Sequence, residues 1–217
     1  MTDVFACARA QIYYNSKRKS LAQVKRESGC SHIINGYLFN GSFQPVGWTV
    51  IDGKIISRDK YNDFGVSIGD NGLPLMSTDR RDSFLSGVPI LKGGSKLYRN
   101  LTPDVARSAA RTAVGWLANG KVVLWCDKSS LTREQLQNKL LGLGVVDALM
   151  LDGGGSTAIT VTQPDKLTAK TISTPSDGSE RAVTNHVFLV ATAQPTGVLD
   201  HLYVSPDNQY VLAGSSV

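Results

Sequence analysis

Asp-Gly and Asn-Gly pairs recur between short apolar runs, and each of these pairs lets the backbone reverse within two residues. Residues 47–51 and 54–57 flank Asp52-Gly53; residues 61–68 and 73–77 flank Asp70-Asn71-Gly72; residues 110–117 and 121–126 flank Asn119-Gly120. So short a reversal joins antiparallel neighbours, whereas parallel strands need a long crossover. The spacing therefore predicts hairpins, and no Rossmann-like repeat is visible.

Helical signals are fewer. Ser20-Leu21-Ala22-Gln23 reads as a capping box that Gly29 can close, and Thr102-Pro103 can start a helical turn. Thr132-Arg133-Glu134-Gln135 is a second capping box, with Leu136, Leu140 and Leu141 on one face and Gly142 and Gly144 at the end. Further strands are expected over residues 4–14, 30–39, 145–151 and 181–191, and residues 84–94 form an apolar segment broken by glycines. The fold class read from this order is α+β, a mixed, largely antiparallel sheet with two or three inserted helices.

A length of 217 residues suits one domain, and 41% hydrophobic with 19% charged residues is the composition of a folded chain. The domain is expected over residues 1–191. A linker follows at 192–198, and residues 199–217 resemble the first strands of an immunoglobulin-like domain, stopping before its core closes. The chain is therefore expected to be a trimmed piece of a longer secreted, surface or virion-associated protein. Without that tail, the cysteine usage and the missing signal peptide favour the cytoplasm.

The stretch richest in chemistry is Leu149-Met150-Leu151-Asp152-Gly153-Gly154-Gly155-Ser156-Thr157. An apolar run delivers a carboxylate, three glycines free the backbone for close approach, and two hydroxyls close the loop. The N–H groups of Gly153, Gly154 and Gly155, with Ser156 and Thr157, offer a cradle for an anion such as phosphate. Asp152 beside it suits work on an adjacent group, as base, nucleophile or metal ligand. The plainer alternative is a tight glycine turn in which Asp152 bonds its own loop. A Walker loop is excluded because Gly155 leads to Ser156 without a lysine, and a nucleophile elbow because Ala158 stands where its last glycine belongs.

Cys7, Cys30 and Cys126 show no CxxC and are expected as small buried residues, and three histidines are too few for a histidine-rich metal site. No cofactor is indicated with certainty; a calcium or magnesium site built on oxygen ligands stays open. No stretch approaches the roughly 20 apolar residues of a membrane span. A net charge of +5 favours anionic partners, but 7% aromatic residues without basic interleaving do not make a nucleic-acid stacking platform.

Six pieces stand together in order: Asn35-Gly36; Ser86-Gly87-x-Pro89 before Lys92-Gly93-Gly94; Arg111-Thr112-Ala113-x-Gly115; Leu143-Gly144; Asp147-Ala148-x-x-Leu151-Asp152-Gly153-Gly154-Gly155-Ser156-Thr157; and Glu180-Arg181-x-Val183-x-Asn185. Over residues 30–191 this resembles the phosphodiester glycosidase family. The chain departs from the family pattern at Tyr37-Leu38-Phe39, where Asn-Gly-Gly-Phe-Phe is usual, and at Asp127-Lys128, where Asp-Gly is common. The resemblance implies a hydrolase that cleaves the glycosidic bond of a sugar-1-phosphodiester, releasing sugar and a phosphomonoester. It places Asp152 at the anomeric carbon, Arg111 and Arg181 as phosphate clamps, and Asn35 and Asn185 as polar ligands of sugar or phosphate. Structural alternatives remain: Arg111 paired with Asp127 or Glu180, and both asparagines serving strand-end backbone groups. The rival function is a module that binds phosphorylated glycans without cleaving them, on a phage tail or cell surface.

Overall fold

The computed structural model describes residues 2–28, 30–58, 64–80, 82–162, 169–173, 181–191, 202–204 and 210–212. Three antiparallel sheets share one core. The first has six strands in the order β1 (Thr2–Phe5), β12 (Val122–Leu131), β11 (Ala109–Leu117), β13 (Val145–Met150), β9 (Val88–Lys92) and β10 (Ser95–Lys96). The second has five: β15 (Ala169–Ser173), β14 (Ala158–Thr162), β3 (His32–Asn35), β16 (Asn185–Ala191) and β2 (Cys7–Tyr14). The third also has five: β5 (Lys54–Ser57), β4 (Thr49–Ile51), β8 (Ser83–Ser86), β6 (Gly65–Ile68) and β7 (Pro74–Ser77).

This arrangement refines the expected α+β class toward sheet. Three sheets stand in place of one mixed sheet, and among the described residues every strand pair is antiparallel. The hairpin turns account for the direction. Asp52 (φ 49°) and Gly53 (φ 74°) both take the left-handed conformation that joins β4 to β5, and Gly72 (φ 74°) and Gly120 (φ 80°) serve the β6–β7 and β11–β12 connections.

Three short α-helices complete the fold among the described residues. In α1 (Leu21–Ser28), Gln23 N–H donates to Ser20 Oγ (3.2 Å) and Ser20 N–H to Gln23 Oε1 (2.9 Å), the capping box expected. The turn α2 (Pro103–Ala106) follows Thr102. Helix α3 (Arg133–Gly142) carries the second capping box, buries Leu136 and Leu140, and through Gln137 Nε2 donates to the carbonyls of Ile90 (2.8 Å) and Leu97 (2.9 Å). No helix among the described residues is long and apolar enough to cross a membrane.

One apolar cluster spans all three sheets, with Val114, Leu124 and Leu149 from the first, Ile12, Ile34 and Val187 from the second, and Val66 and Leu85 from the third. Cys30 and Cys126 are buried, and burial pushes the Cys126 thiol up to about 12.

Two expected strands are shorter than their apolar patterns. Residues 2–14 break at Ala6, with β1 pairing to β12 and β2 to β16, so the segment passes from one sheet to another. Residues 30–39 are strand only from His32 to Asn35. In the tail, β17 (Leu202–Val204) and β18 (Tyr210–Leu212) pair antiparallel, while most of the expected linker and immunoglobulin-like segment lies outside the described residues. Gly29, Tyr61 to Asp63 and Glu180, each part of an expectation, also lie outside them.

Candidate active site

The glycine loop is the crossing between the first two sheets. Strand β13 ends at Met150, residues 151–157 turn, and β14 begins at Ala158 in the neighbouring sheet. Leu151 N–H donates to the Thr112 carbonyl (2.9 Å) on one side, and Asp152 N–H to the Gly36 carbonyl (3.0 Å) on the other. The loop is thus tied to both sheets where it passes between them.

Asn35 makes the central connection. Its Nδ2 donates to the carbonyls of Asp152 (2.8 Å) and Gly36 (3.2 Å), and its Oδ1 accepts from Thr112 Oγ1 (3.0 Å) and Ala158 N–H (2.9 Å). The side chain is fully buried and its two donors and two lone pairs are all engaged. Where a substrate ligand was expected, the Asn35 side chain is committed to the protein and ties the backbone of Asp152 to both sheets. Asn185 has a similar part. Its Oδ1 accepts from Tyr37 N–H (2.6 Å), its Nδ2 donates to Thr184 Oγ1 (3.0 Å), and its carbonyl accepts from Gly36 N–H (2.8 Å). It too is buried and turned into the protein.

Within the loop, Gly153 lies against the 107–111 segment, where an added Cβ would stand 2.5 Å from the Ala110 carbonyl oxygen, and Gly154 adopts φ +59°. Gly154 to Ser156 form a single 3-10 turn. Gly153 N–H donates to Asp152 Oδ1 (2.9 Å), Ser156 N–H to the Gly153 carbonyl (3.2 Å) and Thr157 N–H to the Gly154 carbonyl (3.2 Å). Of the amides expected to face an anion, that of Gly153 is turned to the Asp152 carboxyl, and those of Ser156 and Thr157 close the turn. Ser156 and Thr157 are buried beneath the turn.

Asp152 is half-buried as a residue, and desolvation of its carboxyl raises the pKa above the usual carboxylate range against the opposing effects of the Ser156 hydroxyl, the Gly153 amide and Arg181. Arg181 is exposed and places Nη1 3.5 Å from Ser156 Oγ, completing a chain from guanidinium to hydroxyl to carboxyl. Strand β16 also buries His186, whose pKa falls to about 3 through the loss of water around the ring. Among the described residues, no group of three or more His, Cys, Asp or Glu side chains is placed to hold a metal.

Arg111 departs most from expectation. Only 4% of it is exposed, and its guanidinium donates to the backbone carbonyls of Leu131 (3.0 Å), Val105 (3.1 Å) and Arg107. A guanidinium turned inward onto three carbonyls cannot clamp an incoming phosphate. Instead it fastens α2 and the residue after it to strands β11 and β12. Asp127 sits opposite in the strand register yet forms no ion pair with it among the described residues. Arg107, which no sequence signal distinguished, is exposed and brings Nη2 to 3.8 Å from the position a Cβ on Gly154 would take.

A model of the phosphodiester glycosidase family matches residues 28–190, three quarters of the chain and every site residue above. The chain belongs to that family. Among solved structures, this phosphodiester glycosidase-family chain is similar to the catalytic domain of zebrafish N-acetylglucosamine-1-phosphodiester alpha-N-acetylglucosaminidase, auto-inhibited by its pro-peptide, with TM-score 0.66 and 21% identity over 85% of this chain and 73% of that one. It is also similar to a hypothetical protein from Synechocystis, with TM-score 0.69 and 12% identity over 85% of this chain and 57% of that one. At these identities the likeness is one of fold. Curated protein sequences give no match.

Proposed function

We propose that the domain hydrolyses the glycosidic bond of a sugar-1-phosphodiester, releasing the free sugar and leaving a phosphomonoester on the other alcohol. The observation that carries this reading is the Asp152 carboxyl, anchored at the junction of two sheets and holding its proton above the usual range beside Ser156 and Arg181. Family membership supplies the reaction class.

In the reaction the anomeric C–O bond breaks with its electron pair going to the phosphate oxygen, and water supplies the new anomeric hydroxyl. Phosphate is a weakly basic leaving group, so departure needs little proton donation. Asp152 then serves the anomeric carbon or its attacking water, where a carboxylate stabilises developing positive charge or accepts a proton. Arg181 receives the anionic diester.

Sugar release from a panel of sugar-1-phosphodiesters tests this, with wild type and Asp152→Asn assayed in added calcium and in chelator. Wild type is expected to release sugar and Asp152→Asn to lose at least about 100-fold in kcat, general acid–base groups contributing typically 10²–10⁴-fold. The acid limb of the wild-type rate profile is expected above the usual carboxylate range. Binding of the diesters by both forms without release would instead identify a glycan-binding module.

A further inference from the structure

We propose that Arg107 is the second cation that reads the substrate's phosphodiester, and that the buried Arg111 is its positioning residue; this rests on the hydrolase reading above. Three observations converge. The loop amides of Gly153, Ser156 and Thr157 are engaged within the loop, which gives side chains beside it a larger part in holding an anion. The guanidinium of Arg111 is committed to three carbonyls and buried. Arg107 is exposed, stands against Gly154, and forms no ion pair among the described residues.

The local charge also calls for an anion. Burial lowers the pKa of Arg111, and the neighbouring guanidiniums of Arg107 and Arg133 lower it further. Arg133 is occupied elsewhere, donating to the Arg99 carbonyl (2.7 Å) and lying 5.3 Å from the Tyr98 ring centroid. The like charges of Arg107 and Arg111, one of them against Gly154, are relieved by a ligand of opposite sign.

Arg111 acts through the backbone. By holding the carbonyls of Val105 and Arg107 it fixes the end of α2, from which the Arg107 side chain reaches Gly154. Gly153 completes the approach, because a Cβ there would strike the Ala110 carbonyl and part the loop from this segment. Arg107 and Arg181 thus border the loop that carries Asp152, and a monoanionic diester between them takes charge-assisted hydrogen bonds from both.

Titration of the protein with dimethyl phosphate, followed by NMR of arginine Nε–H groups, tests the assignment without knowledge of the sugar. Saturable shifts are expected at Arg107 and Arg181 and none at Arg111. Arg107→Gln is expected to raise KM for a hydrolysed diester about 10- to 100-fold with a smaller change in kcat, and Arg107→Lys to restore part of the loss. Arg111→Lys, which keeps the charge but not the fork, is expected to raise KM similarly, and adding it to Arg107→Gln to raise KM no further. An Arg107 resonance that does not move, or a KM unchanged in Arg107→Gln while Arg181→Gln raises it, overturns the inference and leaves the hydrolase standing. Shifts at both arginines with no sugar released from any diester would sink the hydrolase and leave the anion site.

Discussion

Desolvation moves the protonation of Asp152 and His186 in opposite directions, and each shift has its own sign in stability. Asp152, with its pKa raised, holds a proton in the folded state at pH values where the unfolded chain has lost it. Its contribution therefore fades as pH rises through the raised value. His186, lowered from 6.5 to about 3, stays neutral in the fold while the unfolded chain takes up a proton. Its contribution is present above about pH 6.5 and is lost as pH falls toward 3, with a limiting slope of about 1.4 kcal/mol per pH unit. Thermal melting of wild type between pH 7 and pH 4 is expected to fall more steeply than that of His186→Gln, in which this titration is absent. Equal slopes in the two proteins would show that His186 is not held neutral. Neither shift is legible in the sequence, because desolvation depends on what packs over the side chain.

At the scale of elements, strands β3 and β16 meet where Asn35-Gly36 passes Asn185. A Cβ on Gly36 would lie 1.9 Å from Asn185 Oδ1 and 2.8 Å from the Asn185 carbonyl oxygen. Gly36→Ala is therefore expected to cost about 3 kcal/mol by overpacking, since the obstacle includes backbone as well as a buried amide. A denaturant melt checks this, and an unchanged midpoint would mean that the strands have room to separate. The Asn-Gly pair was visible in sequence, but as a common turn dipeptide; its role as a point of close approach comes from a residue 149 positions away. Local signals fared differently. Both capping boxes and the Asp52-Gly53 hairpin form where their residues predict, since each is decided by groups within three positions of one another. The Arg111 motif was legible as a cluster but not in its orientation, because residue type does not reveal whether a guanidinium turns toward solvent or toward Leu131.

For the whole molecule, Asn35 joins the first sheet through Thr112, the second through Ala158, and the glycine loop through Asp152. Asn35→Ala would leave a buried hydroxyl, an amide N–H and a carbonyl without their partner, a loss on the order of 3–5 kcal/mol. Asn35→Asp keeps the acceptor but not the two donors, so it is expected to retain more stability than Asn35→Ala while still losing sugar release, as the Asp152 backbone comes untied. Melting curves and sugar release for the two variants check this; full activity in Asn35→Asp would remove Asn35 from the positioning of Asp152. The antiparallel connections, the helix starts and the identity of Asp152 as the loop carboxylate follow from local residue order, because short-range backbone geometry and hydrogen bonding decide them. That residues 2–14 divide between two sheets, that Arg111 and the two asparagines face inward, and that Arg107 and Arg181 border the loop emerges only in the folded molecule. Those outcomes depend on contacts between residues far apart in the chain and on which side chains lose their water when the three sheets close on one core.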